Sequence, residues 1–306
     1  MKPLATLFIF LLSFSAQAQL TIYSADQNSG IDQTVDCWGN SLTAGAGGTS
    51  YPTQLSWLFP NRLINNYGIG GQKIDQIAAR QGGSPLSLTL TGNAFSGVTS
   101  VTLTGISTQL LSTAADQVTR TLSGVVLGIP CLLTRTATVS TEVYTLQPVQ
   151  SQSTAIPAGS LFYPDVAFNA KNHINLFELG RNNVPSLSLL PATLDACISQ
   201  MARPRRFLVI GVLNAVSETV GTANYTAIAA ANAILAQKYG DNFVPMTPPT
   251  VAEQAALNYT PSAQALIEMA AGTIPTEMRA DDVHLNTLGY ALKTLRIGAK
   301  FGQFSW

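Results

Sequence analysis

The chain has 306 residues, of which 46% are apolar, and its 16 basic and 16 acidic side chains leave no net charge. A disordered chain carries fewer apolar and more charged residues, so the composition indicates a folded protein, long enough for one large domain or a domain with an insertion. The balanced charge lacks the strong basicity of proteins that bind nucleic-acid backbones, and no nucleic-acid partner is predicted.

The first 18 residues are predicted to be a signal peptide rather than part of the fold. Lys2 precedes an apolar run from Leu4 to Phe14, and residues 16–18 form a small-x-small site that predicts cleavage after Ala18. The run of about eleven residues is shorter than the roughly 20 that a membrane-spanning helix needs. The mature protein is therefore expected to be soluble, secreted or periplasmic, and without stable membrane insertion.

From residue 34 onwards, short apolar runs alternate with segments of helical periodicity. Near-continuous apolar strands separated by helices predict an α/β fold with a five-stranded parallel sheet covered on both faces. The predicted strands are 34–38, 63–67, 174–179, 207–213 and 242–246. The predicted helices are 51–59, 74–80, 186–201, 223–239, 262–271 and 287–301. Ligand sites in such folds lie at the carboxyl ends of the strands.

Residues 83–164 break this pattern and are predicted to form a β-rich insertion between the α/β segments 19–82 and 165–306. From Gly82 to Pro164 only four residues are charged, and apolar residues alternate with Ser and Thr, as in half-buried antiparallel strands. This regularity disfavours the alternative of a disordered linker. Turns are predicted at Gly92-Asn93, Ser96-Gly97 and Ser123-Gly124. If the insertion binds substrate, the aromatic side chains that could stack on a sugar ring are Phe95, Tyr144, Phe162 and Tyr163. A packing or partner-binding module is the equal alternative.

The cysteine pattern gives no metal site. Cys37, Cys131 and Cys197 cannot all pair within one chain, and three free thiols or one disulfide both remain open. No Cys/His cluster with zinc-ligand spacing, P-loop or dinucleotide fingerprint is present, so no metal or organic cofactor is predicted.

Ser41 is a candidate nucleophile because it follows an apolar strand directly. A hydroxyl nucleophile needs a base, a group that orients the base, and donors for the oxyanion. His284 follows Asp281 by three residues, a spacing that lets the carboxylate bond Nδ1 and leaves Nε2 to take the serine proton. A turn at Ser41 and a helix-start role for the acids are the alternatives. The other histidine, His173, is expected to be solvated or structural.

Two further segments follow predicted strands and suit an oxyanion site. Residues 66–71 (Asn-Tyr-Gly-Ile-Gly-Gly) follow the second strand, and their glycines let backbone N–H groups approach a ligand. Residues 180–183 (Gly-Arg-Asn-Asn) follow the third strand and offer side-chain amides.

These four segments, in this order, resemble the four sequence blocks of the SGNH/GDSL hydrolase family. Residues 39–42 resemble its GDS(L) block, 66–71 its NxGxxG block, 180–183 its GxND block and 281–284 its DxxH block. The resemblance covers about residues 34–82 and 170–300 and implies a flavodoxin-like three-layer sandwich, the SGNH hydrolase fold, plus an all-β insertion.

The resemblance also implies the roles of the site residues. Ser41 is the implied nucleophile, His284 the base and Asp281 the orienting acid. The implied oxyanion donors are the backbone N–H groups of Ser41 and Gly71 and the side-chain amide of Asn182. The sequence departs from the family pattern at Asn40 and Asn183, where the family has Asp. These two departures affect only the hydrogen bonds expected next to them, and not the implied catalytic roles.

The implied function is that of an exported serine esterase that hydrolyses carboxylic esters of a small molecule or a polysaccharide. Export and the polar insertion favour O-acyl groups, acetyl above all, on carbohydrate. The alternatives are a secreted lipase or lysophospholipase of the same family, and a catalytically silent binding protein that works through the insertion. The acyl group, the alcohol, the oligomeric state and the role of the insertion stay open.

Overall fold

The computed structural model describes residues 32–109, 119–138 and 141–306. These residues form a five-stranded sheet and a closed six-stranded barrel. The predicted signal peptide, residues 1–18, lies outside the described residues. Within the three described ranges, no helix is long and apolar enough to cross a membrane.

The five-stranded sheet is parallel throughout, which confirms the predicted α/β class. Its strands, in chain order, are β1 (Val35–Gly39), β2 (Ile64–Gly68), β9 (Ile174–Glu178), β10 (Phe207–Ile210) and β11 (Phe243–Val244). The spatial order is β2-β1-β9-β10-β11, and the central strand β9 and its neighbour β1 are completely buried. Counted among the parallel strands alone this is the order 2-1-3-4-5, which is consistent with a flavodoxin-like core.

Helices cover both faces of the sheet. They are α1 (Ser41–Ala44), α2 (Tyr51–Leu58), α3 (Ile74–Gln81), α4 (Asp165–Asn169), α5 (Leu190–Ser199), α6 (Ala223–Tyr239), α7 (Val251–Ala256), α8 (Ala263–Ala270) and α9 (Thr287–Phe304). Val35 and Cys37 of β1 pack in one apolar cluster with α2 and α9, whereas Trp38 packs on the other face with α3, α5 and α6. Alternate strand residues therefore fill two separate cores, as the near-continuous apolar runs predict.

Several predicted element boundaries are wrong; α9, for example, ends at Phe304 instead of residue 301. Two of the differences have an identifiable reason. Helix α5 begins at Leu190 instead of residue 186, because Pro191 has no N–H to donate and is tolerated only in the first turn. Strand β10 ends at Ile210 instead of residue 213, since the N–H of Val212 donates to the side chain of Asn232, 2.8 Å away, rather than to a neighbouring strand.

The predicted β-rich segment contains antiparallel strands, and they close into a barrel. The strands are β3 (Leu86–Leu90), β4 (Val101–Ile106), β5 (Arg120–Val126), β6 (Ile129–Ala137), β7 (Glu142–Pro148) and β8 (Ser160–Pro164), in the order β3-β4-β7-β6-β5-β8 with β3 paired to β8. Ala79 of α3 belongs to the apolar cluster inside the barrel. The arrangement thus differs from the predicted all-β insertion, because a helix of the α/β part contributes to the barrel core.

Two predictions for this segment are wrong. Ser123-Gly124 is not a turn but lies inside β5, and the tight turn falls at Leu127 and Gly128, both with positive φ. The side chains of Phe95, Tyr144 and Phe162 are at most 6% exposed and fill the barrel core, so they cannot stack on a sugar ring. Of the aromatic candidates Tyr163 alone is partly exposed, and its ring lies against that of Phe168.

All three cysteines are free and buried, so of the two alternatives the structure has three free thiols and not a disulfide. Burial raises the pKa of the Cys197 thiol to about 12 and that of Cys131 to about 11. Buried, protonated thiols behave as small apolar side chains.

Gly124 gives a test of the barrel packing. A Cβ at Gly124 would lie 2.4 Å from both the ring of Phe162 and the carbonyl of Tyr163, whereas a Cβ at Gly105 on β4 would meet nothing closer than 3.5 Å. Gly124→Ala is therefore expected to lower the free energy of unfolding by about 1–3 kcal/mol, and Gly105→Ala by less than about 0.5 kcal/mol. Urea unfolding measures both, and equal midpoints for the two variants would contradict the barrel packing.

Candidate active site

The site lies where β1 and the central strand β9 end. Ser41 follows β1 and Asn182 follows β9, which are neighbours in the sheet. The chain leaves β1 toward α2 on one face and leaves β9 toward α5 on the other. Loops that diverge from adjacent parallel strands leave a crevice between them, the usual ligand position in such sheets.

Ser41 is held by a short helix packed directly on the strand ends. Asn40 caps α1, its Oδ1 accepting from the N–H of Leu42 at 3.0 Å. A Cβ at Gly39 would lie 1.9 Å from Oγ1 of Thr43, and one at Gly68 would lie 2.1 Å from the nitrogen of Ala44. Larger residues at these two glycines would lift α1 off the sheet and displace Ser41.

Ser41, His284 and Asp281 form one chain of hydrogen bonds. Nε2 of His284 lies 2.9 Å from Oγ of Ser41, and Nδ1 lies 2.7 Å from Oδ2 of Asp281. The other carboxylate oxygen of Asp281 accepts from the backbone N–H groups of His284 and Val283, at 2.6 and 2.8 Å.

These bonds set the protonation pattern. The backbone and side-chain hydrogen bonds from His284 lower the pKa of Asp281 to about 2, so the carboxylate is ionised at neutral pH. An ionised carboxylate only accepts hydrogen bonds, which assigns the imidazole proton to Nδ1 and leaves Nε2 to accept from the Ser41 hydroxyl. The side chains of His284 and Asp281 are 27% and 57% exposed, so the chain of bonds is open to solvent.

The glycine-rich loop and the Asn182 loop are tied to each other beside Ser41. A Cβ at Gly70 would lie 4.0 Å from Cβ of Ser41. Gly71 has φ +73°, a left-handed conformation that favours glycine. The Nδ2 group of Asn182 donates to the carbonyl of Gln72 at 2.8 Å. The segments 66–71 and 180–183 therefore lie together beside Ser41 of the segment 39–42.

Several donors around Ser41 lack an acceptor. Among the described residues, the backbone N–H groups of Ser41 and Gly71 donate to no protein atom. Asn182 uses one of its two amide hydrogens on Gln72 and keeps the other. No contact joins Gly71 or Asn182 directly to Ser41, so their assignment as oxyanion donors stays a prediction.

The two departures from the family pattern behave differently. Asn183 keeps the needed oxygen, since its Oδ1 accepts from the N–H of Ile74 at the start of α3, 2.9 Å away. The Nδ2 group of Asn40 is buried and, within the described part of the chain, has no hydrogen-bond partner. The asparagine therefore buries one unpaired donor that an aspartate would lack.

Two buried charged groups that support the site escaped the sequence analysis. Glu178, at the end of β9, accepts from Oγ1 of Thr43 at 2.7 Å and from the ammonium group of Lys293. Arg80 donates to the carbonyl of Tyr67 at 2.9 Å and to Oε1 of Gln72 at 2.8 Å. The sequence signal for Glu178 is its position as a charged residue near the end of the apolar run 174–179, which is predicted to be a buried strand. The sequence gives no corresponding signal for Arg80.

The neighbouring acid and the second histidine contact other parts of the protein. Asp282 accepts from the N–H and the hydroxyl of Ser217, at 2.9 and 2.8 Å, and does not bond His284. His173 lies before the amino end of β9, with Nδ1 2.7 Å from Oδ2 of Asp36 and Nε2 3.3 Å from Oδ2 of Asp32. His173 therefore fits the expectation of a structural residue.

The chain matches no protein-family model, no curated protein and no solved structure. The residues that the structure describes contain no group of three or more His, Cys, Asp or Glu side chains that could hold a metal ion. The interpretation of the site therefore rests on its own geometry.

The pH dependence of hydrolysis tests the role of His284. A protonated imidazole cannot accept the serine proton, so kcat/KM is expected to fall as acidification protonates the imidazole, while Asp281, with its pKa of about 2, stays ionised. His284→Ala should remove most activity together with this limb, whereas His173→Ala should keep both. Loss of activity in a folded His173→Ala variant alone would move the base to His173.

The adjacent acids provide a matched pair. Asp281→Asn removes the ionised acceptor that fixes the imidazole tautomer, and a rate loss of about 10³–10⁴-fold is expected. Asp282→Asn keeps an oxygen for Ser217, and a change of less than about threefold is expected because the substitution lies away from the imidazole. Initial rates on one small aryl ester measure both, and the reverse ranking would show that Asp282 orients His284.

Proposed function

We propose that the protein is an exported serine esterase of the SGNH/GDSL type that hydrolyses carboxylic esters. The observation that carries the proposal is the unbroken chain of hydrogen bonds from Asp281 through His284 to Ser41. It lies at the carboxyl ends of β1 and β9, beside backbone N–H groups that donate to no atom of the described residues. An acid, a base and a hydroxyl in this geometry suit acyl transfer through a serine.

The reaction proceeds in two halves. Oγ of Ser41 attacks the ester carbonyl carbon while Nε2 of His284 takes the hydroxyl proton. The resulting oxyanion is held by the N–H groups of Ser41 and Gly71 and the free amide hydrogen of Asn182. The intermediate collapses, and His284 gives the proton to the departing alcohol. Water then attacks the acyl-serine in the same way and releases the acid.

A carbohydrate ester is the proposed substrate because polar groups lie together on the barrel. The strand register aligns four outward-facing threonines across neighbouring strands: Thr102, Thr145, Thr134 and Thr121. Oγ1 of Thr108, just after β4, lies 3.4 Å from Oδ2 of Asp75 in the first turn of α3. The barrel thereby reaches the helix that follows the glycine-rich loop, where a sugar chain attached to the scissile ester could extend.

A lipid ester is the second candidate, favoured by exposed apolar side chains on the segment that follows Ser217, whose hydroxyl bonds Asp282 of the His284 loop, and on the neighbouring helix α8. Val220, Leu266 and Ile267 are each more than half exposed. The N–H of Val220 bonds the carbonyl of Ala271 just after α8, which places Val220 beside that helix. An acyl chain leaving the crevice on this side would meet apolar surface.

The decisive experiment compares residues 19–306 with their Ser41→Ala variant on p-nitrophenyl acetate. Ser41→Ala is expected to lower the rate by about 10⁴-fold or more, since it removes the nucleophile. Ser199→Ala serves as the control, because that hydroxyl is exposed on α5 and, among the described residues, bonds only the carbonyl of Ala196. Equal rates for Ser41→Ala and the unaltered protein would leave the silent binding protein as the better proposal.

A substrate panel separates the two ester classes. Faster release of acetate from acetylated polysaccharide than of long-chain acids from phospholipid supports the carbohydrate ester, and the opposite ranking supports the lipid ester.

A further inference from the structure

Arg279 is a buried arginine whose guanidinium group serves the backbone. It is 6% exposed, and burial lowers its pKa to about 10. Its hydrogen bonds to the described residues all go to carbonyl groups: Nε to Ile274 at 2.8 Å, Nη1 to Asp282 and Val283 at 3.2 Å each, and Nη2 to Asn214 at 2.8 Å. Among the described residues, no carboxylate forms a salt bridge with it.

Two of these carbonyls belong to the peptide groups between Asp281 and His284. The peptide that carries the Asp282 carbonyl also carries the N–H of Val283, and the next peptide carries the Val283 carbonyl and the N–H of His284. Both N–H groups donate to Oδ1 of Asp281. Each peptide is therefore held on one side by the Asp281 carboxylate and on the other by the Arg279 guanidinium. Opposite charges at the two ends of a peptide dipole strengthen both hydrogen bonds.

The contact with Asn214 extends this arrangement toward Asn182. Glu218, four residues after Asn214, accepts two hydrogen bonds from Arg181, the residue before Asn182. The loop between β10 and α6 is thus bonded to the His284 loop through Arg279 and to the Asn182 loop through Arg181.

We infer that Arg279 is a positioning residue that clamps the two peptide groups between Asp281 and His284 and so keeps the imidazole aligned on Ser41. The inference rests on the proposed esterase function. Arginine suits this place because its planar group presents several donors in fixed directions. A lysine ammonium on a flexible stem cannot reach the same set of carbonyls.

Arg296 provides the matched control. It is 7% exposed and also donates to backbone carbonyls, those of Pro245, Thr247 and Pro248, together with the carboxylate of Glu253. None of these partners belongs to the His284 loop. Arg296→Lys therefore measures the general cost of replacing a buried, carbonyl-bonded arginine.

The test compares Arg279→Lys with Arg296→Lys on p-nitrophenyl acetate, well below the unfolding midpoint of each variant. Arg279→Lys is expected to lower kcat by about 10–100-fold with KM within about twofold, because small misplacements of a catalytic group cost rates of this order. Arg296→Lys should keep kcat within about twofold. Should Arg279→Lys fail to fold, Arg279→Gln replaces it with the same expectation, since glutamine buries no charge.

A double-mutant cycle with Asp281→Asn separates positioning from a merely structural role. If Arg279 acts through the Asp281–His284 pair, the double variant should lose little more activity than Asp281→Asn alone. The inference would be overturned if the rate losses of the two single variants multiplied in the double variant, or if Arg279→Lys were as active as Arg296→Lys. An unaltered protein no faster than Ser41→Ala would instead refute the esterase proposal on which it rests.

Discussion

One buried carboxylate joins the three elements that carry the candidate site. Glu178 ends β9, the strand that leads to Asn182, and it accepts from Thr43 of α1 and from Lys293 of α9. Helix α1 begins with Ser41, and α9 begins three residues after His284. Loss of one partner from a buried ion pair costs about 3–5 kcal/mol, because the other charge stays buried and uncompensated. The relative positions of the proposed nucleophile, base and side-chain amide thus depend on contacts made beneath the crevice.

Other buried charged side chains also have specific partners. Lys293 lies between the rings of Tyr51 and Tyr290, 5.0 and 5.4 Å from their centroids, which favours its charged form where burial lowers its pKa. Arg80 donates to the carbonyl of Tyr67 in β2 and to the side chain of Gln72 after the glycine-rich segment, whereas Arg279 donates to carbonyl groups of the loops around His284. A chain that is only 10% charged therefore places several of its charges inside, and two of them, Arg279 and Arg296, bond backbone carbonyls that lie outside the regular secondary structure.

The sequence predicts the elements better than their pairing. The parallel strands are recognisable because both faces are buried, and the order of the four chemical segments follows from their places at strand ends. Helix α7 was missed although Thr250 and Glu253 form a capping box, a local signal that was present in the sequence. Closure of the barrel was not predictable from the sequence. Period-two alternation predicts a strand but not the strand with which it pairs. The barrel closes because β3, the first strand of the segment, pairs with β8, the last. The supports at Arg279 and Glu178 were hidden for a similar reason: a lone charged residue does not say which distant carbonyl or ammonium it will meet.

The two histidines explain why a carboxylate–imidazole pair alone does not make an active site. Both have Nδ1 2.7 Å from a carboxylate oxygen, His284 with Asp281 and His173 with Asp36. On the remaining nitrogen, His173 meets a second carboxylate, that of Asp32, whereas His284 meets the hydroxyl of Ser41. His173 also lies at the amino ends of β1 and β9, where the chain enters the sheet. His284 lies at the carboxyl ends, where diverging loops leave a crevice with unpaired donors. The proposed role of His284 as the base therefore depends on which edge of the sheet the imidazole occupies and on the group that faces its second nitrogen.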